Sequence, residues 1–445
     1  MPNDLPSRVH ADMPRIVAEL ERLVRIPSVS APGFPESEVR RSADAVRDLL
    51  SDAGYSDAHL LEIDEAHPAV FAEAAGPDGT PTVLLYAHHD VQPPGPIDEW
   101  STPPFVPTER DGRLYGRGTS DDKCGIVTHA AALRAFEGEP PVTIKVLVEG
   151  EEEIGSHNLS RFLDEYADLL AADVIVIADS ANWRTGTPAL TTSLRGLVDC
   201  IIEVRTLRSG IHSGQFGGPI PDALTVLVHA LATLHDQNGD VAVTGLTFDD
   251  MEPLDLTEDE LRAQAGTVDG LELIGTGSLT ARMWRRPAIS ILAIDAPPIA
   301  EAINQLVPVA RAKVSMRLAP GDHPRRAMDA LRTHLTAAVP WGAEVRVEPG
   351  AMGDAFELDS SGPAFSAFAA AMEEAYGSAP VEMGIGGSIP FVASFQRRYP
   401  DAAILLTGVA DPTSAAHGPN ESQDLADLER GIVAETLALE RLAEM

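Results

Sequence analysis

Val83-Leu84-Leu85-Tyr86-Ala87-His88-His89-Asp90 opens as an unbroken apolar run of strand length and closes on imidazole and carboxylate groups. Continuous apolar runs of this size mark strands buried on both faces, as in parallel sheets covered by helices. Residues 142–148, 174–178 and 403–406 repeat the pattern. Helical apolar spacing occupies 16–24, 39–53, 125–136, 159–170, 364–376 and 422–442. Gly54 stands just past the second of these, where a left-handed terminator is wanted. The predicted fold class is α/β, a mixed and mostly parallel sheet flanked by helices.

A chain of 445 residues exceeds what one core usually organises. Segments 198–204 and 312–318 alternate apolar with polar residues, as half-exposed strands do, and 222–234 and 325–335 have amphipathic helical spacing. The helix at 222–234 is entered through Pro219 and Pro221. These features predict an inserted α+β domain over 193–352, leaving 1–192 and 353–445 as the main domain. The stretch 240–286 is acidic and rich in turns, with no assignable chemistry.

The balance of 33 basic against 68 acidic residues, a formal charge of −35, repels phosphate backbones and anionic lipid, so neither nucleic acid nor membrane is an expected partner. Cys124 and Cys200 are too few for a disulfide framework. No apolar run approaches the roughly 18 residues of a membrane span, and the first 21 residues mix prolines and charges without an apolar secretion core. A cytoplasmic location is expected.

Chemistry enters where the strands end. Open α/β sheets hold ligands at the carboxyl edge, and three of the apolar runs deliver a metal-prone residue there. After 83–86 comes His88, with Asp90 two residues on and able to hold the ring. After 142–148 comes Glu149-Gly150-Glu151-Glu152-Glu153-Ile154-Gly155-Ser156, whose crowded carboxylates repel one another unless cations neutralise them. After 174–178 comes Asp179. Tyr115-Gly116-Arg117-Gly118-Thr119-Ser120-Asp121-Asp122-Lys123 adds a glycine-containing turn with paired carboxylates; it lacks the Gly-Lys-Ser/Thr of a phosphate loop. His417 lies in Ala415-Ala416-His417-Gly418-Pro419-Asn420-Glu421, after the last apolar run.

In this order the motifs resemble the zinc amidohydrolases and peptidases that include carnosinases, succinyl-diaminopimelate desuccinylases, acetylornithine deacetylases and glutamate carboxypeptidases. The resemblance spans nearly the whole chain. It implies a dinuclear zinc peptidase fold with an inserted lid and dimerisation domain. His88 and Asp179 would hold one metal, Glu153 and His417 the other, and Asp121 would bridge them, with Asp90 and Glu152 outside the ligand set. It also implies a cis Asp121–Asp122 peptide. Two metals about 3.5–4 Å apart can share a water, lower its pKa and polarise a scissile carbonyl; Glu152 is then the general base. Zinc is the expected metal, with manganese or cobalt compatible with the same donors.

By the same resemblance, His212 in Ile211-His212-Ser213-Gly214 would reach the partner subunit's active site and stabilise the oxyanion, which implies a homodimer. Arg317, Gly387 and Ser388 would grip a substrate carboxylate. The chain departs from the peptidase branch at Cys124, where Gly usually follows Asp-Asp-Lys, and at Gly384-Ile385, where Arg-Glu usually precedes Gly-Gly-Ser. Asp179, in place of the glutamate of many acylases, together with Asp90-Val91-Gln92-Pro93, tilts the reading toward a dipeptidase. N-acyl-amino-acid deacylation is the rival.

Overall fold

The computed structural model describes residues 4–358, 360–387 and 390–445. The chain separates into two compact units, Met1–Thr192 with Leu358–Met383 and Pro390–Met445, and Ser193–Glu357 with Gly384–Ile389. The second unit ends at Glu357 rather than at the expected 352, and its Phe356 and Glu357 pair with its Leu194 and Ser193.

In the first unit the sheet runs in the order Asp57–Leu61, Ala69–Ala74, Thr143–Glu149, Thr82–His88, Val174–Ile177, Ala403–Leu406, Ala189–Leu194. Thr143–Glu149, Thr82–His88, Val174–Ile177 and Ala403–Leu406 are mutually parallel, and the flanking strands antiparallel, so the sheet is mixed and mostly parallel at its centre. Every residue from Val83 to His88 is buried, which is why the run carries no polar alternation. Each buried Val or Leu there contributes roughly 1.5–3 kcal/mol.

The helix Lys123–Ala135 is buried on all sides except at Arg134; Gly125 and Ala130–Ala132 let its neighbours approach. The first helix is Leu5–Val24, longer than expected, and runs through Pro14 because Leu5, Val9, Ile16, Leu20 and Leu23 give it one buried stripe that outweighs the proline. The expected helix 159–170 divides at Tyr166 into Leu159–Glu165 and Ala167–Leu170. The closing helix starts at Leu425 rather than 422: Ser422–Asp424 pair with Arg113–Tyr115, and the Asp424 carboxylate then caps the helix by accepting from the Ala426 and Asp427 N–H groups. No helix of the described residues is long and apolar enough to cross a membrane.

The second unit is an antiparallel sheet ordered Ala288–Asp295, Val309–Leu318, Gly196–Arg205, Glu344–Gly353. Val198, Cys200, Ile202 and Val204 alternate with Val314, Met316 and Leu318 in a core shared with the helices Ala223–Ala232 and Pro324–Ala338. The stretch 240–286 is not only turns. It contains Glu258–Ala265, closed by a Thr257/Glu260 capping box, and Leu279–Trp284. Glu258–Ala265 buries no residue, so no apolar period announces it.

Candidate metal centre

The parallel register places His88 opposite Glu149 and Tyr86 opposite Ile177, so His88, the turn after Glu149, and Asp179 leave the sheet at one edge. His88 is fully buried, and its Nδ1 lies 3.0 Å from the Asp90 carbonyl and 3.5 Å from the Asp90 carboxylate. That anchor turns Nε2 outward, 3.0 Å from Asp121 Oδ1 and 4.0 Å from Asp179 Oδ1. His89 points the opposite way, its Nε2 2.9 Å from the Pro68 carbonyl.

Asp121 ends the glycine-containing turn, and its peptide to Asp122 is cis. Its second oxygen meets His417 Nε2 at 2.9 Å, and the same nitrogen lies 3.1 Å from Glu153 Oε2. One carboxylate is thus flanked by two imidazoles. Potential ligand atoms of His88, Asp121 and Glu153 lie within 4.8 Å of one another, as do those of His88, Glu152 and Asp179.

Asp90 does more than face the ring. Its carboxylate accepts from the backbone N–H groups of Glu152 (3.2 Å) and Glu153 (3.1 Å) and from the Ser30 hydroxyl (2.6 Å), which orients the short turn Glu152–Ile154. Gln92 secures Glu153: its N–H donates to Oε1 at 3.1 Å and its side-chain amide to Oε2 at 2.8 Å. Ser30 and Gln92 carried no assignment in the sequence. Gln92 sits two residues beyond Asp90, a usable signal; Ser30 lies 60 residues away and has none. Lys123, also unassigned, is buried and donates to the carbonyls of Leu23 and Ile26. Cys124, the departure after Asp-Asp-Lys, is buried with its thiol 3.3 Å from the Ser120 carbonyl.

The electrostatics are those of a cluster short of positive charge. Burial, then the charge of Glu152, drives the Asp179 carboxyl well above its ordinary range. Burial, reinforced by Glu153, Asp121 and Asp90, raises Glu152 to about 7. Asp122 is raised to about 8 by burial. Hydrogen bonds to Asp121 and Glu153 raise His417 to about 10. Burial opposes charge on His88, but Asp121, Asp90 and Asp179 outweigh it and hold the imidazole well above its usual range. Imidazole nitrogens and carboxylate oxygens converging on a few ångströms are the donor set of a divalent transition-metal site, so the residues fit such ions.

His212, Arg317 and Gly387 belong to the second unit. His212 is exposed, paired through its backbone with Gln305 in a two-stranded ribbon. Arg317 is half-buried in Val309–Leu318, and burial lowers its pKa. Among the described residues a side chain at Gly387 would meet Ile385, at 3.7 Å, whereas one at Gly384 would run into Trp284 at 2.6 Å. Ser388 lies outside the described residues.

Known proteins share this fold. The chain is 34% identical over 430 residues to a cysteinylglycine-S-conjugate dipeptidase of Corynebacterium striatum, covering 95% of this chain and 94% of that protein. The solved structure of the di-peptidase Dug1p from Saccharomyces cerevisiae superposes with a TM-score of 0.80 at 25% identity, covering 100% of both chains. Human carnosine dipeptidase 1 superposes with a TM-score of 0.81 at 25% identity, over 99% of this chain and 98% of that one. The resemblance drawn from the motifs is borne out. With the match to peptidase family M20/M25/M40 running over residues 84–441, the chain belongs to that family and is a metallopeptidase.

Proposed function

We propose that the protein is a cytoplasmic dipeptidase that hydrolyses the amide bond of small unblocked dipeptides with two divalent ions, zinc by expectation. The observation that carries this reading is the convergence of His88 and His417 on Asp121, at 3.0 and 2.9 Å, in a chain aligned along nearly its whole length with a dipeptidase. His88 and Asp179 would hold one ion, Glu153 and His417 the other, and Asp121 both. When bound, such ions supply Lewis-acid polarisation of the carbonyl and a water that deprotonates near neutrality.

The protein's own groups do the rest. A Glu152 carboxylate oxygen takes the proton of the attacking water and returns it to the leaving amine. Asp90 holds Glu152 for that task through its N–H group. The partner subunit's His212 stabilises the oxyanion, and Arg317, Gly387 and Ser388 receive the substrate carboxylate. A homodimer is supported by Ala288–Asp295, an edge strand that exposes Ile291, Leu292 and Ile294, a row suited to pairing with a second copy. The cytoplasmic location is supported by Cys124 and Cys200, both free and buried.

The test is metal analysis combined with a substrate panel. Unblocked dipeptides are expected to be cleaved in preference to N-acetyl and N-succinyl amino acids, because a pocket built for a free α-amine leaves its polar partner unpaired against an acyl group. Preference for the acyl compounds would install the rival. Two bound ions with no hydrolysis of either class would remove the enzyme reading. Ile294→Lys is expected to shift the protein from dimer to monomer in sedimentation.

A further inference from the structure

Arg117 and Glu421 flank ligands in the sequence and have no place in the reaction just described, yet both are buried, with Arg117 Nη1 2.5 Å from Glu421 Oε2. Glu421 accepts from the backbone N–H groups of Gly118 (3.0 Å), Ser120 (3.0 Å) and Asp121 (3.2 Å) and from the Ser120 hydroxyl (3.1 Å). Its carboxylate therefore shapes the turn that ends in Asp121. Arg117 Nη2 donates to the carbonyls of His417 (3.0 Å) and Pro93 (3.3 Å). Its guanidinium therefore holds the backbone of His417.

A buried ion pair is a weak stabiliser, since desolvating two charges can exceed their attraction. What this pair does is geometric. The chain around His417 forms neither helix nor strand, and Ala415, His417 and Asn420 all have positive φ. A loop of that kind does not set an imidazole by a backbone ladder; it needs fixed side chains. The carboxylate that accepts from Gly118, Ser120 and Asp121 is bonded to the arginine that grips His417.

We propose that Arg117 and Glu421 are positioning residues that set the separation of His417 from Asp121, and thereby the affinity of the metal site these two share with Glu153. This rests on the two-ion reading above. The test titrates zinc into metal-stripped wild type, Glu421→Gln, Arg117→Lys and Asp411→Asn by calorimetry, with circular dichroism, Tm, and kcat and KM at rising free zinc. Asp411 anchors the same loop at its far end through Arg113, 2.8 Å away, and serves as the control.

Glu421→Gln and Arg117→Lys are expected to bind the first ion as wild type does and the second about 10–100-fold more weakly. Their kcat recovers as free zinc rises, and KM does not change. Asp411→Asn lowers Tm without separating the two affinities. Wild-type affinity for the second ion in folded variants, or equal weakening of both ions, overturns the proposal. Loss of fold in Glu421→Gln passes the test to Arg117→Lys, which keeps the charge and lacks the planar fork; loss of fold in both overturns it. Wild-type protein that binds fewer than two ions sinks the two-ion reading and this proposal with it, and does so before any variant is compared.

Discussion

His88 and His417 present Nε2 to the two oxygens of one carboxylate from opposite kinds of support. His88 ends a seven-residue strand paired on both sides and has no exposed side-chain surface; His417 sits at φ 63° on an irregular loop with its side chain 57% exposed. The sheet edge locates a ligand through its hydrogen-bond ladder and core, and a single ring contact to Asp90 completes the job. The loop has turn hydrogen bonds but no ladder, and it is held to the site by the Arg117 side chain. The difference teaches that one half of the cradle is part of the folding core and the other half is assembled on it.

The sharpest cut between the halves is at the residue that should serve both. Glu152→Gln is expected to retain two ions and an unchanged Tm while kcat falls about 10²–10⁴-fold; metal analysis and steady-state rates check it, and wild-type turnover in the metal-replete variant would remove the base role. Next, His88→Ala and His417→Ala should both weaken metal binding but differ in the metal-free protein. His88→Ala leaves buried acceptors at Asp90 and Asp121 and is expected to lose about 1–3 kcal/mol in urea unfolding, whereas His417→Ala, whose ring is 57% exposed, is expected to lose less. Equal destabilisation would break the comparison.

A smaller effect is expected at Gly118, at φ +84° and with space for a Cβ only 2.6 Å from Val91 Cγ1. Gly118→Ala should cost about 1–2 kcal/mol from the backbone alone and displace the Asp121 turn, read as a lower Tm together with weaker zinc binding. The smallest belongs to Ser30→Ala, which removes one of the donors to Asp90. A loss of about 0.5–1.5 kcal/mol, with kcat nearly preserved, is expected from thermal melts and rates.

The same contrast explains what could be read from the sequence. Strand-end ligands are legible because an apolar run and the residue that follows it are adjacent in the chain, so His88, Asp179 and the Glu152–Glu153 turn could be picked out by position. Ser30 and Glu421 could not, because their partners lie 60 and about 300 residues away and nothing local marks a buried acceptor or donor. The spacing over 16–24 marks only the later part of Leu5–Val24, because Leu5 and Val9, the buried residues ahead of Pro14, are too widely set to show a period of their own. Glu258–Ala265 was invisible because a helix with no buried face has no apolar period.

Lys123 carries a consequence for handling the protein. Its side-chain nitrogen is buried and donates to the Leu23 and Ile26 carbonyls, where the first helix gives way to the loop that brings Ser30 to Asp90. Residues 5–30 are therefore foundation rather than decoration. Trimming them would strand a buried amino group two positions from the central carboxylate and disturb the candidate metal centre from behind.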